Sequence, residues 1–161
     1  MIIELHKTGV LSNTYSVLHR GSIVAHIRRS FWRDHAAILM PESRLHVRRT
    51  GILKDKFTLI DGASTKAQAI QAKPFRRDLS FEFEGQKYHL RRHHGHRKIV
   101  IEQSGHPVGS ISAEGSFPVG ATGDLPEHWP LVIRLFLMWI ALTHRDHEEA
   151  AHVMGRRART V

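Results

Sequence analysis

The sequence predicts a mainly β chain: a closed antiparallel β-barrel of about 11–12 strands around a central hydrophobic C-terminal helix. Three observations predict it. Short segments alternate apolar and polar residues, the period of a half-buried strand. Turn signals recur, with Gly85, Gly95, Gly105 and Gly115 each ten residues after the last. The run LVIRLFLMWIAL, Leu131 to Leu142, is apolar at every position but Arg134, so it must be enclosed on all sides.

The elements follow in order. Ile23, Ala25 and Ile27 alternate with Val24, His26 and Arg28. Leu45 and Val47 alternate with arginine and histidine, and Phe57 and Leu59 continue the habit. Asp61-Gly62 reads as a turn opening a hairpin arm, and Pro74 cuts short any helix over STKAQAIQAK. Leu79, Phe81 and Phe83 share one face, with Ser80, Glu82 and Glu84 on the other. FEFEGQKYHL and IVIEQSGHPVGSI each read as strand, turn, strand, because glycine supplies the positive φ of tight hairpins. From Phe117 to Pro130 the chain holds three prolines and two glycines and reads as a loop, with Asp124 and Glu127 placed to cap a helical turn. A helix follows over about residues 130–154, with Pro130 in its first turn and Gly155 as its stop.

That helix does not suit a membrane. Twelve residues span about 18 Å, against roughly 30 Å of hydrocarbon, and His144, Arg145 and Asp146 end the run. The strands are then what must enclose it. Met138 and Trp139 should be buried among strand side chains. Arg134, one turn after Pro130, should reach the barrel mouth or meet a carboxylate or strand carbonyls there, since a guanidinium does not deprotonate.

VRRTGILKDKFTLID (Val47 to Asp61), FEFEGQKYHLRR (Phe81 to Arg92) and PLVIRLFLMWIAL (Pro130 to Leu142) carry a resemblance. In this order they resemble the tubby-like barrel superfamily, which includes the tubby C-terminal domain, the LURP-one-related proteins and the phospholipid scramblases. The resemblance implies a twelve-stranded barrel around a central helix, with trimmed loops. It transfers no binding residue, because no segment here matches the phosphoinositide-contacting segment of tubby.

Composition bounds function. With 161 residues the chain reads as one domain, residues 1–155, followed by a basic tail, residues 156–161. Cysteine is absent, which excludes disulfides, thiolate metal sites and cysteine catalysis and fits a reducing compartment. MIIELHKTG lacks the basic head and apolar run of a signal peptide. The formal net charge of +9 favours anionic partners.

Six dibasic pairs recur: Arg28-Arg29, Arg48-Arg49, Arg76-Arg77, Arg91-Arg92, Arg97-Lys98 and Arg156-Arg157. Strand neighbours point to opposite faces, so a pair inside a barrel strand would bury one charge, at a cost of several kcal/mol unless it is paired. The pairs should therefore sit at strand ends, on the barrel rim. There arginine can grip phosphate bidentately, and Arg48, Arg49, Arg76, Arg77, Arg91 and Arg92 are the anion-binding candidates. The plainer alternative is solubility and edge protection.

His93, His94 and His96 cluster around Gly95 and are weak metal candidates; a solvated hairpin tip explains them as well. His147 and His152 in HEEAAH are five apart, roughly 140° round a helix, and miss the zincin spacing. No GxSxG, phosphate loop or GxGxxG is present. The expectation is a non-enzymatic binding or scaffold protein without cofactor, cytoplasmic or peripheral at a membrane surface. Its partner would be an anionic lipid headgroup or another protein. A small basic nucleic-acid-associated protein ranks second, on the strength of SFWRD and KPFRRD.

Overall fold

The structure is a computed structural model that describes residues 1–30, 34–51, 54–71, 78–92, 97–113 and 119–157, with side chains for all of these except 119 and 145–157. Its strands are β1 Ile2–Lys7, β2 Thr14–His19, β3 Ser22–Arg29, β4 His35–Met40, β5 Ser43–Thr50 and β6 Lys56–Asp61. They continue as β7 Ser64–Gln71, β8 Leu79–Phe83, β9 Gln86–Arg92, β10 Lys98–Gln103, β11 His106–Ala113 and β12 Val119–Asp124, before the helix α1, Leu131–Arg157. Each strand pairs antiparallel with the next, and β12 pairs with β1, closing the barrel. Among the described strands no sheet edge is left open to a second chain.

The two barrel ends differ. At one end, which α1 enters, the hairpins turn tightly. Arg20-Gly21, Glu84-Gly85 and Ser104-Gly105 each take positive φ at both positions, the type I′ geometry that matches strand twist. At the other end, where α1 leaves, the connections are longer: residues 8–13 join β1 to β2 and residues 51–55 join β5 to β6. Gly51 is obligatory there, because at φ 114° an added Cβ would lie 1.8 Å from the Lys54 carbonyl oxygen.

The helix is central. Leu135 to Ile140 are all fully buried, on every face of the helix. Trp139 meets Phe57 of β6, Phe136 meets Phe81 of β8, and the Met138 sulfur lies 3.2 Å from where a Cβ on Gly123 of β12 would stand. Strands β6 and β12 are opposite walls of the barrel. Small inward residues such as Ala25, Ala67, Ala69 and Ala121 leave room for these large side chains. The buried Thr143 hydroxyl donates to the Trp139 carbonyl at 2.9 Å. Beyond Thr143 the helix runs on past Gly155 to Arg157. Among the described residues no helix is long and apolar enough to cross a membrane.

Two details correct the sequence reading. Val119–Asp124 is a strand, not part of a loop. Its glycines serve close approach: a Cβ on Gly120 would fall 2.7 Å from the Tyr15 ring. Asp124 caps no helix; its carboxylate pairs with the Met1 amino group at 3.2 Å. Secondly, Ile23 leaves the inward row of Ala25 and Ile27 and is 60% exposed. The register shifts between Val17 and Leu18, and the bulge flips the chain to its other face.

Candidate functional site

Odd-numbered strands run from the entrance end to the exit end and even-numbered strands return. Strand direction alone therefore brings the dibasic pairs together. Arg28-Arg29 ends β3, Arg48-Arg49 lies near the end of β5, Arg91-Arg92 ends β9, and Arg97-Lys98 opens β10. All four stand at the exit end, as rim placement requires. Arg76 and Arg77, and the histidines His93, His94 and His96, lie outside the described residues, as do the side chains of Arg156 and Arg157.

Alternation then divides each strand pair. Arg28, Arg48 and Arg91 point out and are exposed, while Arg29, Arg49 and Arg92 turn towards the barrel mouth and are buried or half-buried. Arg49 is held in place. Its guanidinium donates to the Asp55 carboxylate through Nε at 2.9 Å and contacts it through Nη2 at 2.8 Å. Its Cζ lies 5.9 Å from the Phe57 ring centroid, within cation–π range. Asp55 in turn receives support from β7: its amide donates to the Gln71 side-chain carbonyl at 2.9 Å. Outside, Arg48 donates to the His35 imidazole at 3.1 Å, and Arg91 lies 3.2 Å from Glu102.

Charge separates along the barrel axis. Glu4, Glu42, Asp61, Glu82, Glu84, Asp124 and Glu127 belong to the entrance half, against Arg20, Arg44, Lys66, Lys87 and Arg134, while the Glu102 carboxylate reaches Arg91 of the exit half. In the exit half the described carboxylates are Asp34, Asp55 and Asp78. They face the four dibasic pairs together with Lys7, Lys54 and Lys56. Strands of five to eight residues put roughly 20 Å between the ends. That exceeds the Debye length of about 8 Å at physiological salt, so the described side chains of the exit end form a positively charged group of their own.

Two hollows are lined by described residues. A crevice lined by Arg92, Arg97, Ile99, Ala113, Ala141 and His144 has a volume of about 10 Å³, room for a water at most. A larger hollow of about 500 Å³ opens at the entrance end, bordered by Met1, Ile2, Leu18, His19 and Arg20 with Glu4 and Glu127. Its carboxylates make it a poor seat for an anion. Among the described residues no three metal-binding side chains converge. Sequence reasoning missed which member of each pair turns inward, and it missed Asp55, because register and the β5–β6 connection decide them.

Arg134 lies at the entrance mouth, 6% exposed, with its guanidinium against the Met1 sulfur. Burial pulls its pKa below the usual arginine value, and the nearby charge of Glu127 opposes that shift.

Compared with known families, curated proteins and solved structures, the chain matches none.

Proposed function

We propose that this protein is a tubby-like barrel that works without catalysis, docking its basic exit end on an anionic partner, the phospholipid headgroups of a membrane surface. It would act in the cytoplasm and associate peripherally. The observation that carries the reading is the concentration of arginine and lysine at one barrel end, with most described carboxylates at the other. Juxtaposed to an anionic leaflet, basic residues contribute about 1 kcal/mol each. Several acting together suffice for reversible attachment, and the acidic entrance end would orient the barrel with that end away from the lipid. The exposed guanidiniums of Arg28 and Arg48 would be the phosphate-facing groups, while Arg91 is already engaged by the Glu102 carboxylate.

Vesicle sedimentation tests this. Phosphatidylcholine vesicles with and without phosphatidylserine are compared with a DNA duplex across a salt series. Binding that needs the anionic lipid, and exceeds binding to DNA at physiological salt, supports the reading. If attachment is through summed charge, affinity should follow lipid charge more than headgroup identity. Preference for DNA, with a steep salt slope, would replace it with the nucleic-acid reading.

A further inference from the structure

The connection from β1 to β2, residues 8–13, ends in the most exposed large apolar side chain of the described residues: Leu11 at 96%, beside Val10 at 70%. An isolated exposed apolar residue needs no explanation. This one is held out by an ordered loop. The Thr8 amide donates to the Thr14 carbonyl at 3.1 Å, and the Ser12 amide donates to the Gly9 carbonyl at 3.0 Å. The Thr14 amide donates to the Ser12 hydroxyl at 3.0 Å, which lies 2.7 Å from the Thr8 hydroxyl. Lys7 Nζ donates to the Val10 carbonyl at 2.7 Å, placing an ammonium beside the tip. The loop is also tied to the rim, because the Arg29 amide donates to the Asn13 carbonyl at 2.8 Å.

Position decides the rest. The tip stands at the exit end, beside β3 and its arginine pair, where the charge suits an anionic surface. Ile2 and Ile23, the other strongly exposed isoleucines, lie at the entrance end among carboxylates. Such a tip matches a bilayer interface, in which apolar side chains sink to the acyl boundary while cations remain with the headgroups.

We infer that Val10 and Leu11 insert into the interfacial layer of an anionic phospholipid bilayer, making the β1–β2 loop the apolar anchor of the basic barrel end. The inference rests on the membrane reading above and adds the element that enters the lipid. Preordering lowers the entropy lost on insertion. Two signals, charge and apolar burial, then act together, the combination that stable peripheral binding requires.

The chain has no cysteine, so Leu11→Cys gives a single attachment site for the environment-sensitive fluorophore NBD, and Ala63→Cys on an entrance-end turn gives a control. On vesicles containing phosphatidylserine, NBD at position 11 should shift to the blue and be quenched by shallow doxyl-labelled lipid, while NBD at position 63 stays aqueous. Leu11→Asp in the unlabelled protein should weaken vesicle binding at least about tenfold. It should leave the circular dichroism unchanged, because Leu11 is almost fully exposed. If the protein binds these vesicles but the label at position 11 stays in water and Leu11→Asp binds like wild type, the insertion is overturned and headgroup docking survives. If wild type binds no anionic vesicle, both readings fall.

Discussion

The Trp139 indole meets the Phe57 ring edge-on, with centroids 5.6 Å apart and 79° between the planes. The contact joins α1 to β6, while the neighbouring Met138 faces β12 across the barrel. A helix lying outside a barrel could not reach both walls. Trp139→Ala should cost about 3–5 kcal/mol, a fall in melting temperature on the order of 10 °C for a domain of this size. The indole N–H has no hydrogen-bond partner among the described residues. Trp139→Phe therefore gives up volume but no hydrogen bond, and should cost much less. Thermal unfolding followed by near-ultraviolet dichroism checks both, and equal losses would contradict the packing account.

Gly120 and Tyr15 form a second contact of this kind. An added Cβ at Gly120 would sit 2.7 Å from a ring that is 2% exposed and has no room to retreat. Gly120→Ala should destabilise by about 1–3 kcal/mol through overpacking. Tyr15→Leu should absorb part of that loss, so the double variant is less destabilised than the sum of the singles. Urea unfolding of the four proteins measures the coupling.

These glycines mark the limit of what the chain discloses. The alternation of Leu79, Phe81 and Phe83 is local and period two, so β8 is legible residue by residue, and both Leu79 and Phe81 are buried. An all-round apolar helix is equally legible, because the need for enclosure lies in its own composition. Gly120 and Gly123 look like turn residues in sequence, since a glycine required by a ring from β2 or a thioether from α1 carries no local sign of that requirement. Ile23 fails for the same reason: one bulge inverts the face of every residue beyond it. Of the site, the rim position of the arginine pairs follows from the cost of burying charge. Which member of each pair turns inward depends on register, and Asp55 as the partner of Arg49 depends on a loop.

Arg134 sits in the first turn of α1, where the helix dipole opposes a cation and burial opposes its charge. Its guanidinium lies against the Met1 sulfur, and no close ion pair compensates it among the described residues. Arg134→Met keeps the stem and removes the charge. Stability should equal or exceed that of wild type, within about 1 kcal/mol. A loss above about 3 kcal/mol in chemical denaturation would mean that a carboxylate depends on this guanidinium.

The arginine pairs give a test that separates binding from folding. Arg48 and Arg49 are neighbours on β5, yet Arg48 is exposed and Arg49 is clamped to Asp55 beneath. Arg49→Gln removes a half-buried, charge-assisted contact and leaves the Asp55 carboxylate without its cation, so it should destabilise by about 1.5–3 kcal/mol. Arg48→Gln removes an exposed hydrogen bond to His35, and stability should stay within about 0.5 kcal/mol of wild type. For vesicle binding the order reverses. Arg48→Gln combined with Arg28→Gln should weaken attachment to phosphatidylserine vesicles several-fold, whereas Arg20→Gln at the entrance end should not. Arg49→Gln, measured well below its melting temperature, should bind less weakly than the outward double variant, because its charge is already satisfied by Asp55. If inward and outward substitutions changed binding alike, net charge alone would govern attachment, and the division of each pair by strand alternation would have no functional meaning.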